Sequence, residues 1–288
     1  MSDIVYLNGT LMPRNQASIP VMDYGFLYGF GLFETMRAYG GQVFCLDRHL
    51  SRLACSAERL GLSDGIPDLR DAVMDTIQVN RLSDARIRIT VSIGEGGMTP
   101  DPGTCHKPTV LILASHHQPY SKHVYQQGFR AIVSSIRRNS YSPLSRLKSS
   151  NYIENLLARQ EARKAGTDEA LCLNEKGLIA EASTSNIFLV INGVLQTPAE
   201  DNGILPGITR KVVLELAPQL SIGALERDIR LEEVFQAQEA FLTNSLMEIM
   251  PLTEVDGKPI GSKRPGAVTR KLMTEYKKMV LASMTSAQ

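Results

Sequence analysis

The stretch EALCLNEKGLIAEASTSNIFLVINGVLQT, residues 169–197, decides the fold class. Four short apolar runs within it are separated by turn-forming residues and predict strands at 169–173, 178–181, 187–191 and 194–197. Asn192-Gly193, like Asn8-Gly9 near the N-terminus, predicts a two-residue hairpin turn. Helical spacing predicts helices at 47–60, 68–79, 151–165, 208–216 and 269–281. Because strands and helices do not repeat as βαβ units, we predict an α+β fold.

Outside that stretch, the sequence suggests two domains. A polar, irregular segment predicts an inter-domain connector at 118–128, which separates a small N-terminal domain, 1–117, from a larger domain, 129–288. Asp47 is the predicted N-cap of the first helix. The glycine-rich and proline-rich stretch Gly94 to Gly103 predicts a long, flexible loop of the kind that often lies over a binding site.

Composition excludes several classes of partner. The 288 residues are 43% apolar and 21% charged, and 31 basic residues balance 30 acidic ones to a net charge of +1. This charge offers no basic field for nucleic acid or an anionic membrane. No signal peptide or membrane-spanning run is evident. Four scattered cysteines and no metal-ligand spacing predict a cytoplasmic protein without a metal site.

Two polar segments suggest cofactor chemistry. Lys148, in RLKSSNY at 146–152, is flanked by small polar residues just before a helix, so its amine can point into a cavity. Glu181 begins the turn-rich stretch EASTSN at 181–186 and can present a carboxylate to the same cavity. Pyridoxal chemistry uses such a pair, because an acidic partner keeps the pyridine ring protonated and able to accept electrons. Each residue alone is typical of a solvated surface.

Three further features suit a phosphate group. LPGITR at 205–210 precedes a helix, whose first backbone N–H groups bind anions. Thr243-Asn244-Ser245 forms a second candidate turn after a strand. Arg52, on the first long helix, offers a guanidinium group that can bind phosphate through two hydrogen bonds.

The ordered set of motifs resembles the class IV, or fold type IV, pyridoxal-phosphate aminotransferases along most of the chain. This family includes branched-chain aminotransferases, D-amino acid aminotransferases and aminodeoxychorismate lyases. The motifs are YGFGLFE at 28–34, F-x4-H-x2-RL at 44–53, KSSNY at 148–152, EASTSNIF at 181–188, LPGITR at 205–210, NSLMEIMP at 244–251 and VDG at 255–257.

The resemblance implies a role for each matching residue. Lys148 would form the Schiff base with pyridoxal 5'-phosphate and shuttle the substrate proton, and Glu181 would pair with the pyridine nitrogen. Tyr152 would donate a hydrogen bond to the phenolic oxygen of the cofactor. The phosphate would be bound by Arg52, Gly207, Ile208, Thr209, Asn244 and Ser245.

The resemblance also implies an architecture. A small N-terminal α/β domain and a larger mixed domain would hold the cofactor between them. The chain would act as a homodimer whose partner loops complete the pocket, and Gly94 to Gly103 is the candidate for such a loop.

Substrate choice is less sharply defined. Tyr28 and Phe33 match an aromatic pair that favours branched-chain side chains, and Arg88 matches an arginine for the distal carboxylate of glutamate. Arg86 stands where branched-chain enzymes have tyrosine, and Thr35 stands where they have glycine. The substrate residues implied are therefore Tyr28, Phe33, Arg86, Arg88, Leu246 and Met247.

Branched-chain amino acids with 2-oxoglutarate are the leading prediction for the substrates of amino transfer. A D-amino acid aminotransferase that uses Arg86 as an unconventional carboxylate trap remains open. The Asn244-Ser-Leu-Met stretch leaves a carbon–carbon lyase acting on aminodeoxychorismate open as well. A catalytically silent carrier of pyridoxal phosphate is the alternative from outside the enzymes.

Overall fold

The computed structural model describes residues 3–62 and 65–285, which form two compact units. The first unit is drawn from Met1–Gln118, Leu147–Asn151 and Ala282–Gln288, and the second from Pro119–Arg146 and Tyr152–Leu281. The short segment Leu147–Asn151 thus groups with the N-terminal part of the chain, which no sequence pattern indicated. The predicted domain boundaries at 117 and 129 stay a prediction.

The first unit contains an antiparallel sheet of six strands in the order β2-β1-β6-β5-β3-β4. These strands are β1 Ile4–Leu7, β2 Thr10–Pro13, β3 Gly31–Tyr39, β4 Gln42–Val43, β5 Ala85–Ser92 and β6 Thr109–His116. The helices of this part of the chain are α1 Tyr24–Tyr28, α2 Leu46–Arg59 and α3 Arg70–Val79.

Side-chain alternation gives the first sheet one apolar face. Leu32 and Met36 of β3, with Ile87 and Ile89 of β5, are buried in a core with apolar residues of α2 and α3. Successive residues of a strand point to opposite faces. Phe33, Thr35 and Arg37 of β3 therefore lie on the other face, together with Arg86 and Arg88 of β5.

The second unit contains a mixed sheet of nine strands in the order β12-β11-β10-β13-β14-β7-β8-β9, with β15 paired to β14. Its strands are β7 Phe129–Arg138, β8 Glu169–Asn174, β9 Ile179–Ala182, β10 Asn186–Ile191, β11 Val194–Pro198, β12 Ala224–Arg227, β13 Glu239–Asn244, β14 Glu248–Val255 and β15 Lys258–Pro259. The helices are α4 Lys122–Gln127, α5 Ile153–Lys164, α6 Ile208–Gln219, α7 Leu231–Gln236 and α8 Ala267–Thr285, the last of which extends into the final segment assigned to the first unit.

Both predicted hairpin turns are confirmed. Leu7 pairs with Thr10 across Asn8-Gly9, and Ile191 pairs with Val194 across Asn192-Gly193. The φ angles of Asn8, Gly9, Asn192 and Gly193 are all positive, between 48° and 95°. Asparagine and glycine tolerate this left-handed backbone, which tight hairpins require.

Two local predictions were wrong. Helix α2 begins at Leu46 with Cys45 as its N-cap, so Asp47 lies in the first turn rather than at the cap. The backbone is already helical from Leu46 onwards, so the non-helical cap position falls on Cys45, whose φ is 56°. The predicted connector is not irregular throughout, because Ser121 caps the short helix α4 within it.

The hydroxyl of Tyr24 holds part of the loop predicted at Gly94 to Gly103. The hydroxyl of Tyr24 lies 2.8 Å from the carbonyl oxygen of Gly97 and 2.5 Å from that of Thr99. The loop also contains a short 3-10 helix, Pro102–Thr104. The loop was predicted to be flexible, whereas in the structure it has a hydrogen-bonded conformation. No helix in the described part of the chain is long and apolar enough to cross a membrane.

Candidate active site

Backbone hydrogen bonds hold the segment that contains Lys148 against strand β3. The carbonyl oxygen of Lys148 accepts a hydrogen bond from Phe33 N at 2.8 Å, and Ser150 N donates to the carbonyl oxygen of Gly31 at 2.8 Å. Ser149 makes an isolated bridge with Leu32. These contacts fix a segment that has no regular secondary structure of its own, so the Lys148 side chain starts from a defined position.

The polar face of the first sheet brings Lys148 together with Phe33 and Arg88. Lys148 Nζ lies 4.7 Å from the centroid of the Phe33 ring, and the Arg88 guanidinium carbon lies 4.0 Å from the same centroid. Arg88 Nε also donates to Thr90 Oγ1 at 3.2 Å. Phe33 is buried, so this ring supplies an apolar surface beside two cationic groups.

Arginines are concentrated on this face. Arg37 of β3 stands directly opposite Arg86 of β5 in the strand register, and Arg88 follows two residues later. Like charges on opposed residues destabilise a sheet. The Arg37 guanidinium lies 4.3 Å from the Tyr39 ring centroid, while Arg86 is exposed. Such a face attracts anions, and carboxylates are the anions that amino acids supply.

Tyr28 occupies the last position of α1 and is 45% exposed. Its ring packs edge-on against Tyr24 at a centroid distance of 4.8 Å. Tyr24 is the buried residue that anchors the 94–103 loop, so the position of Tyr28 is coupled to that loop. Its predicted contact with substrate stays a prediction.

The other face of β3 carries a buried ionic cluster, defined here as Glu34, His49 and Arg52. Arg52 donates from Nε to Glu34 Oε1 and from Nη2 to Glu34 Oε2, both at 2.7 Å. His49 Nδ1 lies 2.7 Å from Glu34 Oε2. Sequence reasoning assigned a role to Arg52 only, although Glu34 and His49 belong to the same motifs.

Burial sets the charges of this cluster. Burial alone would raise the pKa of Glu34, but the Arg52 charge and the hydrogen bonds of His49 and Arg52 hold that pKa well below its usual range. Burial lowers the pKa of His49 and outweighs the opposite effect of Glu34. Glu34 is therefore ionised and His49 neutral near pH 7, so the carboxylate fixes the orientation of the Arg52 guanidinium.

Glu181 lies near the end of β9 in the second unit, and three groups hold its carboxylate. Arg138 Nη2 is 3.1 Å from Glu181 Oε1. Asn186 Nδ2 and the backbone N–H of Leu205 donate to Oε2 at 3.0 and 3.1 Å. Sequence reasoning missed the roles of Arg138 and Asn186, because their separation from Glu181 along the chain follows no helical or strand period.

The start of α6 has the features of an anion site. Gly207 is its N-cap and provides no side-chain cap, while the first N–H groups of any helix lack acceptors within the helix. A Cβ atom on Gly207 would lie 2.0 Å from Asn186 Oδ1, so any larger residue would have to displace the Asn186 side chain. Ile208 and Thr209 form the buried first turn.

The turn after β13 is shaped by Asn244. Its Oδ1 accepts hydrogen bonds from Leu246 N at 3.0 Å and Met247 N at 2.9 Å, and its Nδ2 donates to Thr184 O at 3.2 Å. Ser245 lies within this turn and is partly exposed. Met247 is buried in the core of the second unit, and its predicted contact with substrate stays a prediction.

Tyr152 precedes α5 and contacts the segment that follows Glu181. Its hydroxyl donates to the carbonyl oxygen of Ser183 at 3.3 Å, which also accepts from Asn155 Nδ2 at 2.8 Å. Among the described residues, the buried hydroxyl of Thr243 has no hydrogen-bond partner. No cluster of His, Cys, Asp or Glu in the described ranges is arranged to hold a metal ion.

Two curated proteins resemble this chain over nearly its whole length. A protein of Methanocaldococcus jannaschii, provisionally named a branched-chain-amino-acid aminotransferase, is 41% identical over 95% of this chain and 95% of its own. The aminodeoxychorismate lyase of Bacillus subtilis is 34% identical over 96% of this chain and 94% of its own. Sequence similarity alone therefore spans two activities.

Solved structures share the fold. The branched-chain aminotransferase of Thermoproteus uzoniensis with norvaline is 36% identical and has a TM-score of 0.90, covering 98% of this chain and 96% of its own. Another branched-chain amino acid aminotransferase, complexed with N-(5'-phosphopyridoxyl)-L-glutamate, is 29% identical with a TM-score of 0.90, covering 97% of this chain and 94% of its own. The predicted α+β fold class is confirmed by these structures.

The family profile covers both groups of residues described above. Residues 31–255 match the profile of amino-transferase class IV, a range that runs from the start of β3 to the end of β14. It includes Lys148 with its arginine-rich sheet face and Glu181 with its carboxylate-binding partners. The chain therefore belongs to the amino-transferase class IV family.

Proposed function

We propose that this chain binds pyridoxal 5'-phosphate and transfers an amino group between a branched-chain L-amino acid and 2-oxoglutarate. The observation that carries the proposal is the position of Lys148 Nζ and the Arg88 guanidinium over the ring of Phe33. An amine, a cation for a second carboxylate and an apolar surface for a hydrocarbon side chain thus lie side by side, which suits an enzyme that accepts both kinds of donor.

The residues fit the cofactor on three observations. The Glu181 carboxylate is held by Arg138 and Asn186, as a partner for a protonated ring nitrogen must be. The uncapped start of α6 offers backbone N–H groups to a phosphate. Thr243 retains a buried hydroxyl without a partner beside the turn that carries Ser245. Pyridoxal phosphate, when bound, supplies the electron sink for the substrate α-carbon.

The chain's own residues would then bind, orient and move a proton. Lys148 Nζ would carry the cofactor and afterwards hold the proton that leaves the substrate α-carbon. Tyr152 would hydrogen-bond the phenolic oxygen, and Arg52, oriented by Glu34, would face the phosphate with Ile208, Thr209 and Ser245. We assign Asn244 to shaping that turn, because its side chain already makes three hydrogen bonds within the protein.

Two observations support a branched-chain amino acid and glutamate as the substrate pair: the sheet face that carries Phe33 and Arg88, and the names of the relatives. Phe33 would contact the hydrocarbon side chain of leucine, isoleucine or valine, and Arg88 would receive the distal carboxylate of glutamate. Relatives and structures named as branched-chain aminotransferases support this pair. One ligand in a related structure, N-(5'-phosphopyridoxyl)-L-glutamate, joins the cofactor to an acidic amino acid.

We also propose a homodimer in a reducing compartment. The homodimer is the assembly that the family resemblance implies. The four cysteines, all within the described residues, form no disulfide, which suits a cytoplasmic enzyme. Size-exclusion chromatography with light scattering would measure the assembly directly.

A half-reaction screen tests the proposed function. The protein loaded with pyridoxal phosphate would be mixed separately with L-leucine, L-glutamate, D-alanine and D-glutamate, and loss of the visible absorbance of the cofactor would be recorded. We expect the two L-amino acids to bleach the absorbance and the two D-amino acids to leave it unchanged. Bleaching by the D-amino acids alone would instead support a carboxylate trap at Arg86.

The same screen separates the remaining alternatives. Conversion of aminodeoxychorismate to aminobenzoate and pyruvate, without amino transfer to 2-oxoglutarate, would identify a lyase. A coloured protein that no donor bleaches would be a silent carrier. In an Arg86→Tyr variant, we expect leucine to react as fast as in the unchanged protein or faster, because the resemblance implies a tyrosine at this position in branched-chain enzymes. An Arg59→Gln variant, which alters an exposed arginine of α2, serves as the control.

A further inference from the structure

Glu169 is a buried carboxylate that the family resemblance did not single out. It is the first residue of β8 and only 1% exposed. Its Oε1 accepts a hydrogen bond from the hydroxyl of Ser183, and its Oε2 accepts from Thr184 Oγ1 at 2.9 Å and from Ser185 Oγ at 3.3 Å. One carboxylate thus accepts hydrogen bonds from the hydroxyl groups of three consecutive residues.

Those three residues form the turn between β9 and β10, called here the 183–185 turn. Ala182 N donates to the carbonyl oxygen of Ser185 at 2.7 Å and closes the turn. Ser183 N donates to the carbonyl oxygen of Ala170 at 2.9 Å, which ties the turn to β8 beside Glu169. The turn directly follows Glu181 and Ala182 and directly precedes Asn186.

Two backbone carbonyl groups of the 183–185 turn contact two residues of the candidate cofactor site. The carbonyl oxygen of Ser183 accepts from the Tyr152 hydroxyl at 3.3 Å. The carbonyl oxygen of Thr184 accepts from Asn244 Nδ2 at 3.2 Å, and Asn244 in turn shapes the loop that carries Ser245. The turn whose side-chain hydroxyls bind Glu169 therefore also presents carbonyl groups to Tyr152 and Asn244.

We propose that Glu169 is a positioning residue of the cofactor site, acting through the 183–185 turn on Tyr152 and Asn244. Serine and threonine hydroxyls compete for nearby backbone groups when they have no other acceptor, and this would remodel a turn. By accepting all three, Glu169 leaves the backbone carbonyls available for Tyr152 and Asn244. This inference rests on the proposed function, since it concerns how the same cofactor is oriented.

The chain offers a matched control. Glu161 of α5 also accepts hydrogen bonds from consecutive hydroxyl residues, from Ser134 Oγ at 2.6 Å and from the hydroxyl of Ser135. Ser134 and Ser135 lie in β7 and not in the 183–185 turn. A Glu161→Ala variant therefore removes the same kind of carboxylate–hydroxyl cluster from the same unit without touching the turn.

The experiment compares Glu169→Ala, Glu169→Gln and Glu161→Ala with the unchanged protein. Three quantities would be measured: the dissociation constant of pyridoxal phosphate, the pH midpoint at which the visible absorbance of the bound cofactor changes, and the melting temperature of the cofactor-free protein. The pH midpoint reports where the Tyr152 hydroxyl lies beside the cofactor, so a loss of stability alone would not move it.

For Glu169→Ala we expect roughly tenfold or greater weakening of cofactor binding and a shifted pH midpoint, because a small misplacement of orienting groups is costly. Glu169→Gln keeps one acceptor oxygen and adds an NH2 group, from which a rotated hydroxyl can accept a hydrogen bond. We therefore expect cofactor binding to weaken by less than about threefold. Glu161→Ala should lower the melting temperature and leave the other two quantities unchanged.

Two results would overturn the proposal. In the first, Glu169→Ala lowers the melting temperature but leaves the dissociation constant and the pH midpoint as in the unchanged protein, which would make Glu169 purely structural. In the second, Glu161→Ala weakens cofactor binding as much as Glu169→Ala does. Failure of the unchanged protein to bind pyridoxal phosphate would instead contradict the proposed function, so the two failures are distinguishable.

Discussion

Glu34 and His49 form a buried pair whose protonation states contribute to the stability of the protein. Both side chains are nearly inaccessible, and Arg52 completes the cluster. Burial lowers the pKa of His49 below its ordinary value of 6.5, and the Arg52 charge lowers the pKa of Glu34 below 4.5 against the opposing effect of burial. Both pKa shifts contribute to the free energy of unfolding at neutral pH. This contribution is lost as the pH is lowered.

The pH dependence of stability follows from these directions. Below pH 6.5, His49 becomes protonated in the unfolded protein but stays neutral in the folded protein. The free energy of unfolding therefore decreases as the pH is lowered. The Glu34 contribution is fully present above pH 4.5 and is lost as pH falls further. We expect chemical denaturation of the cofactor-free protein to show a decline between about pH 7 and 5 of at most about 1.4 kcal/mol per pH unit from His49.

A His49→Gln variant should flatten this decline below neutral pH, because glutamine does not titrate and its amide can still donate to Glu34. A His123→Gln variant, which alters an exposed histidine of α4, is the control and should keep the original slope. An unchanged slope in His49→Gln would contradict the account of this cluster.

Single residues differ in how far the sequence alone reveals them. Lys148, Glu181 and Arg52 stand in motifs whose order along the chain is distinctive, so their selection needed no coordinates. Glu169 stands apart from such motifs, because its partners are hydroxyl side chains 14 to 16 residues away with no periodic spacing. Arg138 acts on Glu181 from a distant strand, and only the sheet pairing brings the two together.

At the scale of elements, the start of α6 depends on a glycine, because a side chain at this position would meet Asn186. Gly207 has φ −69°, an angle that any residue adopts, so the restriction comes from space rather than from the backbone. Its missing Cβ leaves room for Asn186, which hydrogen-bonds both Glu181 and the carbonyl oxygen of Leu205. The helix start and the carboxylate are thereby linked through one asparagine.

A Gly207→Ala variant should therefore weaken binding of pyridoxal phosphate by about tenfold or more, because the methyl group displaces Asn186 from Glu181. Fluorescence titration of the cofactor-free protein with pyridoxal phosphate would measure the effect. Gly223→Ala is the matched control, since its Cβ would meet no atom closer than 3.9 Å. Equal affinities of the two variants would show that the close approach at Gly207 has no consequence for the cofactor.

Elements with local signals were predicted well, and elements that depend on tertiary context were not. Asn-Gly turns and apolar alternation identified the hairpin strands because both signals are contained within a few residues. The start of α2 was misplaced because the left-handed Cys45 leaves no signature in the sequence. Strand β3 was not predicted, since Glu34 and Arg37 interrupt its apolar pattern and are accommodated only by partners on α2 and on the sheet face.

At the scale of the whole molecule, the residues with proposed roles are found in both units. Lys148, Phe33 and Arg88 belong to the first unit, and Tyr152 and Glu181 belong to the second. The segment Leu147–Asn151 returns to the first unit from the middle of the chain. Backbone pairing with β3, rather than any pattern within the segment, determines that assignment, which is why the sequence did not reveal it.

We infer that Lys148 is the residue that carries the cofactor. Borohydride reduction of the protein loaded with pyridoxal phosphate, followed by digestion and mass spectrometry, would locate the phosphopyridoxyl group. We expect one modified peptide, with the group on Lys148, and no modified peptide from a Lys148→Ala variant treated in the same way. A phosphopyridoxyl group on another lysine of the unchanged protein, with Lys148 unmodified, would contradict the claim.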